Sequence, residues 1–323
     1  VILARLYNFE GLNLAHSLQF NIRNGAQGFT RRFMNHYLMA DGSRFTEKQG
    51  YETMFYTEET EGRDPRMVQT VLCPGYVAKG ESSATPNDMT AMTGYEPIKF
   101  VSTAAHSGAS KGTSDWALFR TAEVYLNYAE AKAEIGTLTQ NDIDLTIKKL
   151  RDRVGMPNLD MDDANANPDP YLSSAETGYP NVSGANKGVI LEIRRERSIE
   201  LLQEGHRYYD IIRWKEGKTF TQPLRGIYIP EGTKEYDLDG DGTPDIYLKS
   251  KGETPSTKAP LVMEIDQDIY LSEGSYGYIA PHKNNPGEWN EARDYFYPIP
   301  TNDRSLTGGA LTQNPGWKDG LDL

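Results

Sequence analysis

One cysteine, Cys73, stands in a chain of 323 residues. No disulfide can close within the chain and no thiolate metal cluster can form, which leaves a buried, inert thiol. Positive charge is also short: 34 Lys and Arg stand against 46 Asp and Glu, for a net charge of −12. No basic stripe escapes that balance, so a nucleic-acid backbone is excluded as a partner. No apolar run approaches the length of a membrane span. The opening Val-Ile-Leu-Ala-Arg carries neither an initiator methionine nor a signal peptide, so the chain reads as the C-terminal portion of a longer one, with any lipid-anchoring signal upstream.

Catalytic signatures are missing too. The histidines at 16, 36, 106, 206 and 282 show no HExxH or paired spacing, which removes a zinc centre. There is no G-x-S-x-G elbow, no P-loop and no G-x-G-x-x-G.

What is present is aromatic and helical. Aromatic residues make up 11% of the chain, far too many for a disordered segment. Up to about residue 112, short apolar clusters broken by Gly, Pro, Asn and Asp predict turns, extended pieces and a few short helices. From Ser114 to Ile135, Leu118, Ala122, Tyr125 and Ala129 recur at helical spacing, with Leu126 and Ala133 widening the face, and this predicts one helix capped by Ser114 or Asp115 and ended by Gly136. Thr139 opens a second helix through Ile143, Ile147 and Leu150. Residues 114–155 thus form a TPR-like hairpin, which needs partner helices to cover its face. The Asp-, Asn- and Pro-rich stretch 160–186 predicts a loop. After Gly217, YIPEGTKEYDLDGDGTPDIYL, KAPLVMEI and DYFYPIP predict short strands.

Residues 192–214, EIRRERSIELLQEGHRYYDIIRW, carry charges of both signs. Glu192, Glu196 and Glu200 fall four apart, with Arg194, Arg195 and Arg197 within pairing range. Glu200 and Glu204 could form an acid–base pair of the glycosidase kind, but nothing in the spacing singles out a nucleophile. Interlocked guanidinium and carboxylate groups holding helices together are the stronger expectation.

The run ILEIRRERSIELLQEGHRYYDIIRWKEG resembles the signature of the SusD/RagB family of outer-membrane nutrient-binding lipoproteins. NHYLMADGSRFT with GRDPRM and PGY, SDWALFRTAEVYLNYAEAKAEIG with IKKLRDRVGMP, and YFYPIPTNDRSLTGGALTQNPGW resemble the family in the same order. The resemblance runs from about Asn35 to Trp317 and implies a mainly α, SusD-like fold over 1–323, with TPR-like hairpins and a loop-rich irregular half containing short strands. It implies a lipid-anchored protein on the cell surface of the outer membrane, serving polysaccharide utilisation of the Bacteroidetes type. Such a protein binds an oligosaccharide and delivers it to a SusC-like TonB-dependent transporter. The rival readings are a carbohydrate-active enzyme with paired carboxylates and a TPR-like protein-binding scaffold.

Two local sites are expected. Asp237, Asp239, Asp241, Asp245 and the Thr243 carbonyl have the spacing of an EF-hand-like loop for a structural Ca2+. Leu248 stands where a bidentate Glu would close the shell, leaving Glu235, Asp266 or Asp268 as further donors. Ring faces stack on sugars, and Trp289, in the polar loop NNPGEWNEARD, is the tryptophan least explained by packing. Tyr76, Tyr95, Tyr276 and Tyr278, beside glycines, follow it as ligand contacts. Trp116 and Trp214 are expected in the core, and Trp317 lies in the closing motif.

Overall fold

In the computed structural model, which describes residues 1–285, 287–318 and 320, the N-terminal third is built of turns and short helices, as its lack of a sustained period predicts. After β1 (Leu3–Arg5) come α1 (Phe9–Leu12), α2 (Leu18–Asn24), α3 (Arg31–Met34), α4 (Tyr56–Glu59) and α5 (Met67–Thr70). Thr30 caps α3, its side chain accepting from the Phe33 amide, so a single turn is held where propensity alone would not hold it.

The helix expected from Ser114 begins later. Trp116–Phe119 is a strand, β2, paired antiparallel with β1, and α6 runs Thr121–Glu134. Leu118 fits the helical spacing but is exposed; the aromatic stretch Trp-Ala-Leu-Phe instead takes the hydrogen-bonding edge that β1 offers. Asp115 accepts from the Tyr7 amide at 3.0 Å and caps no helix. Trp116 is 38% exposed and not a core residue. Ala122, Leu126, Ala129 and Ala133 do form the buried face of α6, and Gly136, at φ 75°, ends it in the left-handed region.

Thr139 caps α7 (Gln140–Leu145) in a reciprocal box with Asp142. The second arm then breaks at Thr146 and resumes as α8 (Ile147–Asp152), while Ile143, Ile147 and Leu150 still share one buried face. The expected loop 160–186 contains α9 (Met161–Ala166) and α10 (Pro170–Ser173). Asp160 and Asp169 cap them, and Pro170 occupies a first helical turn, so residues that suggested turns act as helix starts.

The hairpin's missing partner is α11 (Lys187–Glu200), which packs on α6, α8 and α9. A Cβ at Gly188 would lie 1.7 Å from the Ala164 carbonyl oxygen, so only glycine permits the approach to α9. Gly205, at φ 86°, turns the chain into α12 (Arg207–Arg213). Beyond it lie β3 (Tyr228–Ile229), β4 (Lys234–Tyr236), β5 (Ile246–Lys249), β6 (Leu261–Glu264), β7 (Gly277–Tyr278) and α13 (Thr301–Leu306). β3 pairs with β7, while β5 joins β4 antiparallel and β6 parallel. DYFYPIP forms no strand: Pro298 and Pro300 lack the amide a ladder requires.

Two apolar cores result. The first joins α6 to α12 and includes Trp214, the second lies under the short strands, and α11 lies between them, with Val189, Leu191 and Ile193 in the first and Ile199 in the second. That position explains why every residue from Gly188 to Glu200 is buried.

Candidate functional site

A buried helix with this many charges must satisfy each of them. Within α11 only Glu192 and Arg195 pair with each other; Arg195 also grips Asp169 at the start of α10. The remaining partners come from elsewhere. Glu196 is held by Arg66 and, at 2.9 Å, by Arg151, while Glu200 receives Arg120 and Arg153, each at 2.8 Å. Arg197 reaches Asp210 at 2.7 Å. The expected role as architecture is therefore right, although the partners are long-range rather than a ladder along one face. Burial alone would raise the Glu196 carboxyl, but the Arg66 and Arg151 guanidinium groups outweigh it and hold it down to about 2.

Glu200 and Glu204 do not form an acid–base pair. Both are bound by Arg120, and Glu204 also receives Lys99 at 2.6 Å. Burial pushes the Glu204 carboxyl up, yet Arg120 and Lys99 bring it below the ordinary carboxylate value, the opposite of what a general acid needs.

The acidic loop joins β4 to β5. Gly240 and Gly242 amides donate to Asp237 at 2.6 and 2.8 Å, and Leu238 and Asp239 amides to Asp245 at 2.6 and 3.1 Å. This brings carboxylate oxygens of Asp237, Asp239 and Asp245 within 4.8 Å of one another. Asp241 instead turns its carboxylate to the Thr243 amide, at 2.7 Å, and stands outside the trio. Burial first, and the neighbouring carboxylates with it, push Asp239 and Asp245 above the ordinary value. Leu248 is buried in β5. Glu235, Asp266 and Asp268 are engaged by Thr257, Lys283 and the Glu264 amide. The hard oxygen donors of the trio suit a divalent cation such as calcium.

The aromatic candidates separate. Tyr95 is fully buried, its hydroxyl donating to Glu59 at 2.6 Å and its ring set against Tyr56; it is a core residue closed to solvent. Trp289 is half-buried between Phe220 and Tyr295, and its ring covers Gly217, where a Cβ would lie 2.0 Å from it. Tyr76 is half-buried in a turn and Tyr276 exposed in another. Tyr278, on β7, faces a cleft.

That cleft, of about 490 Å3, is formed by α3, Tyr51, Tyr171, the segment 222–225 and Tyr278. The Arg31 amide donates to the Arg225 carbonyl at 2.6 Å, fixing α3 against that segment. The Tyr278 hydroxyl donates to the Glu52 carbonyl at 2.8 Å. Asn35, 5% exposed, donates through Nδ2 to the Tyr171 hydroxyl at 3.2 Å. Its Oδ1 has no hydrogen-bond partner among the described residues. Only Tyr278 of this group was a sequence candidate. The others come from four separate stretches and share no local motif, so spacing could not assemble them.

Helices fixed by buried ion pairs thus frame a polar, tyrosine-lined cleft. The chain belongs to the SusD family: the sequence model of that family matches residues 20–317. Solved structures agree on the fold. A SusD-like protein from Bacteroides fragilis superposes with a TM-score of 0.60 at 21% identity, covering 98% of this chain and 54% of that one. A SusD-like carbohydrate-binding protein from the same species gives 0.58 at 20% identity, over 94% and 53%. The chain spans about half the length of these structures. No curated protein sequence matches it.

Proposed function

We propose that the protein is a lipid-anchored, outer-membrane glycan-binding protein of the cell surface. It captures an oligosaccharide in the tyrosine-lined cleft and passes it, unchanged, to a SusC-like TonB-dependent transporter. Family membership supports the class, and one solved structure of the same fold is described as carbohydrate binding. The observation that carries the reading is the cleft itself, which sets Tyr51, Tyr171 and Tyr278 beside the polar side chains of Gln222 and Arg225. Ring faces and unpaired polar groups at one place are what a saccharide requires. Among the described residues no helix is long and apolar enough to cross a membrane; the proposed attachment is a lipid outside these residues.

Calcium forms the second part of the proposal. Asp237, Asp239 and Asp245 would hold it, and its chemistry there would be to neutralise three crowded carboxylates and stiffen the β4–β5 turn.

Incubation with a panel of glycans tests the reading. Saturable binding with no shortened product supports it. Shortened products would favour the enzyme, and binding to proteins alone would favour the scaffold.

A further inference from the structure

In a chain with 34 basic and 46 acidic side chains, the cleft holds two guanidinium groups without a carboxylate. Arg31 at its base pairs with Glu59 at 2.6 Å. Arg32 and Arg225 have no ion pair among the described residues: Arg32 donates only to the Thr219 carbonyl, at 3.1 Å, and Arg225 lies 4.9 Å over the Tyr278 ring. Burial, and then the like charge of Arg207, pull the Arg32 pKa down, so its cation lacks the counter-charge it would favour. Arg207 is itself bound only to the Tyr179 and Ser198 hydroxyls, at 2.7 and 3.0 Å. The acidic side chains on the rim, Glu52 and Glu176, are both exposed and pair with none of these arginines.

From this geometry we propose that the cleft selects saccharides carrying an anionic group, with Arg32 and Arg225 binding a uronic-acid carboxylate or a sulfate ester. The inference rests on the glycan-binding reading and adds the ligand's charge. The planar donor fork of arginine fits a two-oxygen anion. The Tyr51 and Tyr171 side chains and Gln222 are left for the sugar ring and its hydroxyls.

The test is calorimetric titration of the full chain with three probes: oligogalacturonate, which carries carboxylates only; carrageenan oligosaccharide, which carries sulfates only; and neutral malto-oligosaccharide. Each is repeated with Arg225→Gln, an exposed position whose loss should leave the melting temperature unchanged, and with Arg32→Gln. One of the two anionic probes should bind more tightly than the neutral one, and which one does so names the anion. Its affinity should fall about tenfold or more in Arg225→Gln and should weaken with added salt. A neutral probe binding as tightly as either anionic one, or an anionic probe binding equally well to the original chain and to both variants, would overturn the inference and leave glycan binding standing. Binding of none of the three would overturn both.

Discussion

Arg151 Nε lies 2.9 Å from Glu196 Oε2, with both side chains buried, and the pair ties the second arm of the hairpin to the central helix. Removing Arg151 leaves the buried Glu196 with Arg66 alone, which Asp64 and Glu200 also share. Arg151→Ala should therefore destabilise the protein by about 3–5 kcal/mol, read as a lower urea midpoint. Because Arg151 and Glu196 share one network, Arg151→Ala with Glu196→Ala should cost less than the sum of the two. Full additivity would show that the pair does not act as a unit.

Two buried carboxylates give opposite responses to pH. Glu196 is held down to about 2, below its ordinary 4.5, so its contribution is present above about 4.5 and is lost as pH falls toward 2. Glu216 is pushed up to about 7, chiefly by burial, with Glu291 adding to it against the Asn181 amide and Arg194. The folded state then holds a proton that the unfolded state releases, and stability declines as pH rises from about 4.5 through 7. Glu216→Gln should raise the melting temperature at about pH 8 and leave it unchanged near pH 5. A rise of equal size at both would remove Glu216 as the titrating group.

Calcium should raise the melting temperature and a chelator should lower it, since a ligand of the folded state alone stabilises that state. Asp239→Asn should abolish the difference. A melting temperature indifferent to calcium after exhaustive chelation would reduce the loop to a self-contained turn.

Trp289 and Tyr278 should divide stability from binding. The Trp289 ring covers Gly217 and packs on Phe220 and Tyr295, so Trp289→Ala should cost about 2 kcal/mol of stability. Tyr278→Ala, at the cleft, should weaken saccharide binding with a much smaller change in melting temperature. The reverse pattern would return Trp289 to the ligand site.

Much of the helical half was legible because its signals are local. Ala122, Leu126, Ala129 and Ala133 repeat at helical spacing, Thr139 and Asp142 form a capping box, and Gly136 and Gly205 sit at helix ends. The spacing misled at Ser114, because β1 lies more than a hundred residues away in sequence yet pairs directly with β2. Asp160 and Asp169 were ambiguous, since a residue that starts a turn also caps a helix. The cleft was almost invisible: Arg32, Asn35, Tyr171, Arg225 and Tyr278 meet only through tertiary packing. Total charge gave no hint that Arg32 and Arg225 would lack carboxylate partners, because the whole chain holds 46 acidic side chains against 34 basic ones.

The most direct measurement is the structure of the protein with an oligosaccharide bound. An intact saccharide should lie in the cleft, in contact with Tyr171 or Tyr278 and within hydrogen-bond reach of Gln222 or Arg225. A saccharide lodged elsewhere with the cleft empty, or a cleaved product beside Glu200 and Glu204, would contradict it.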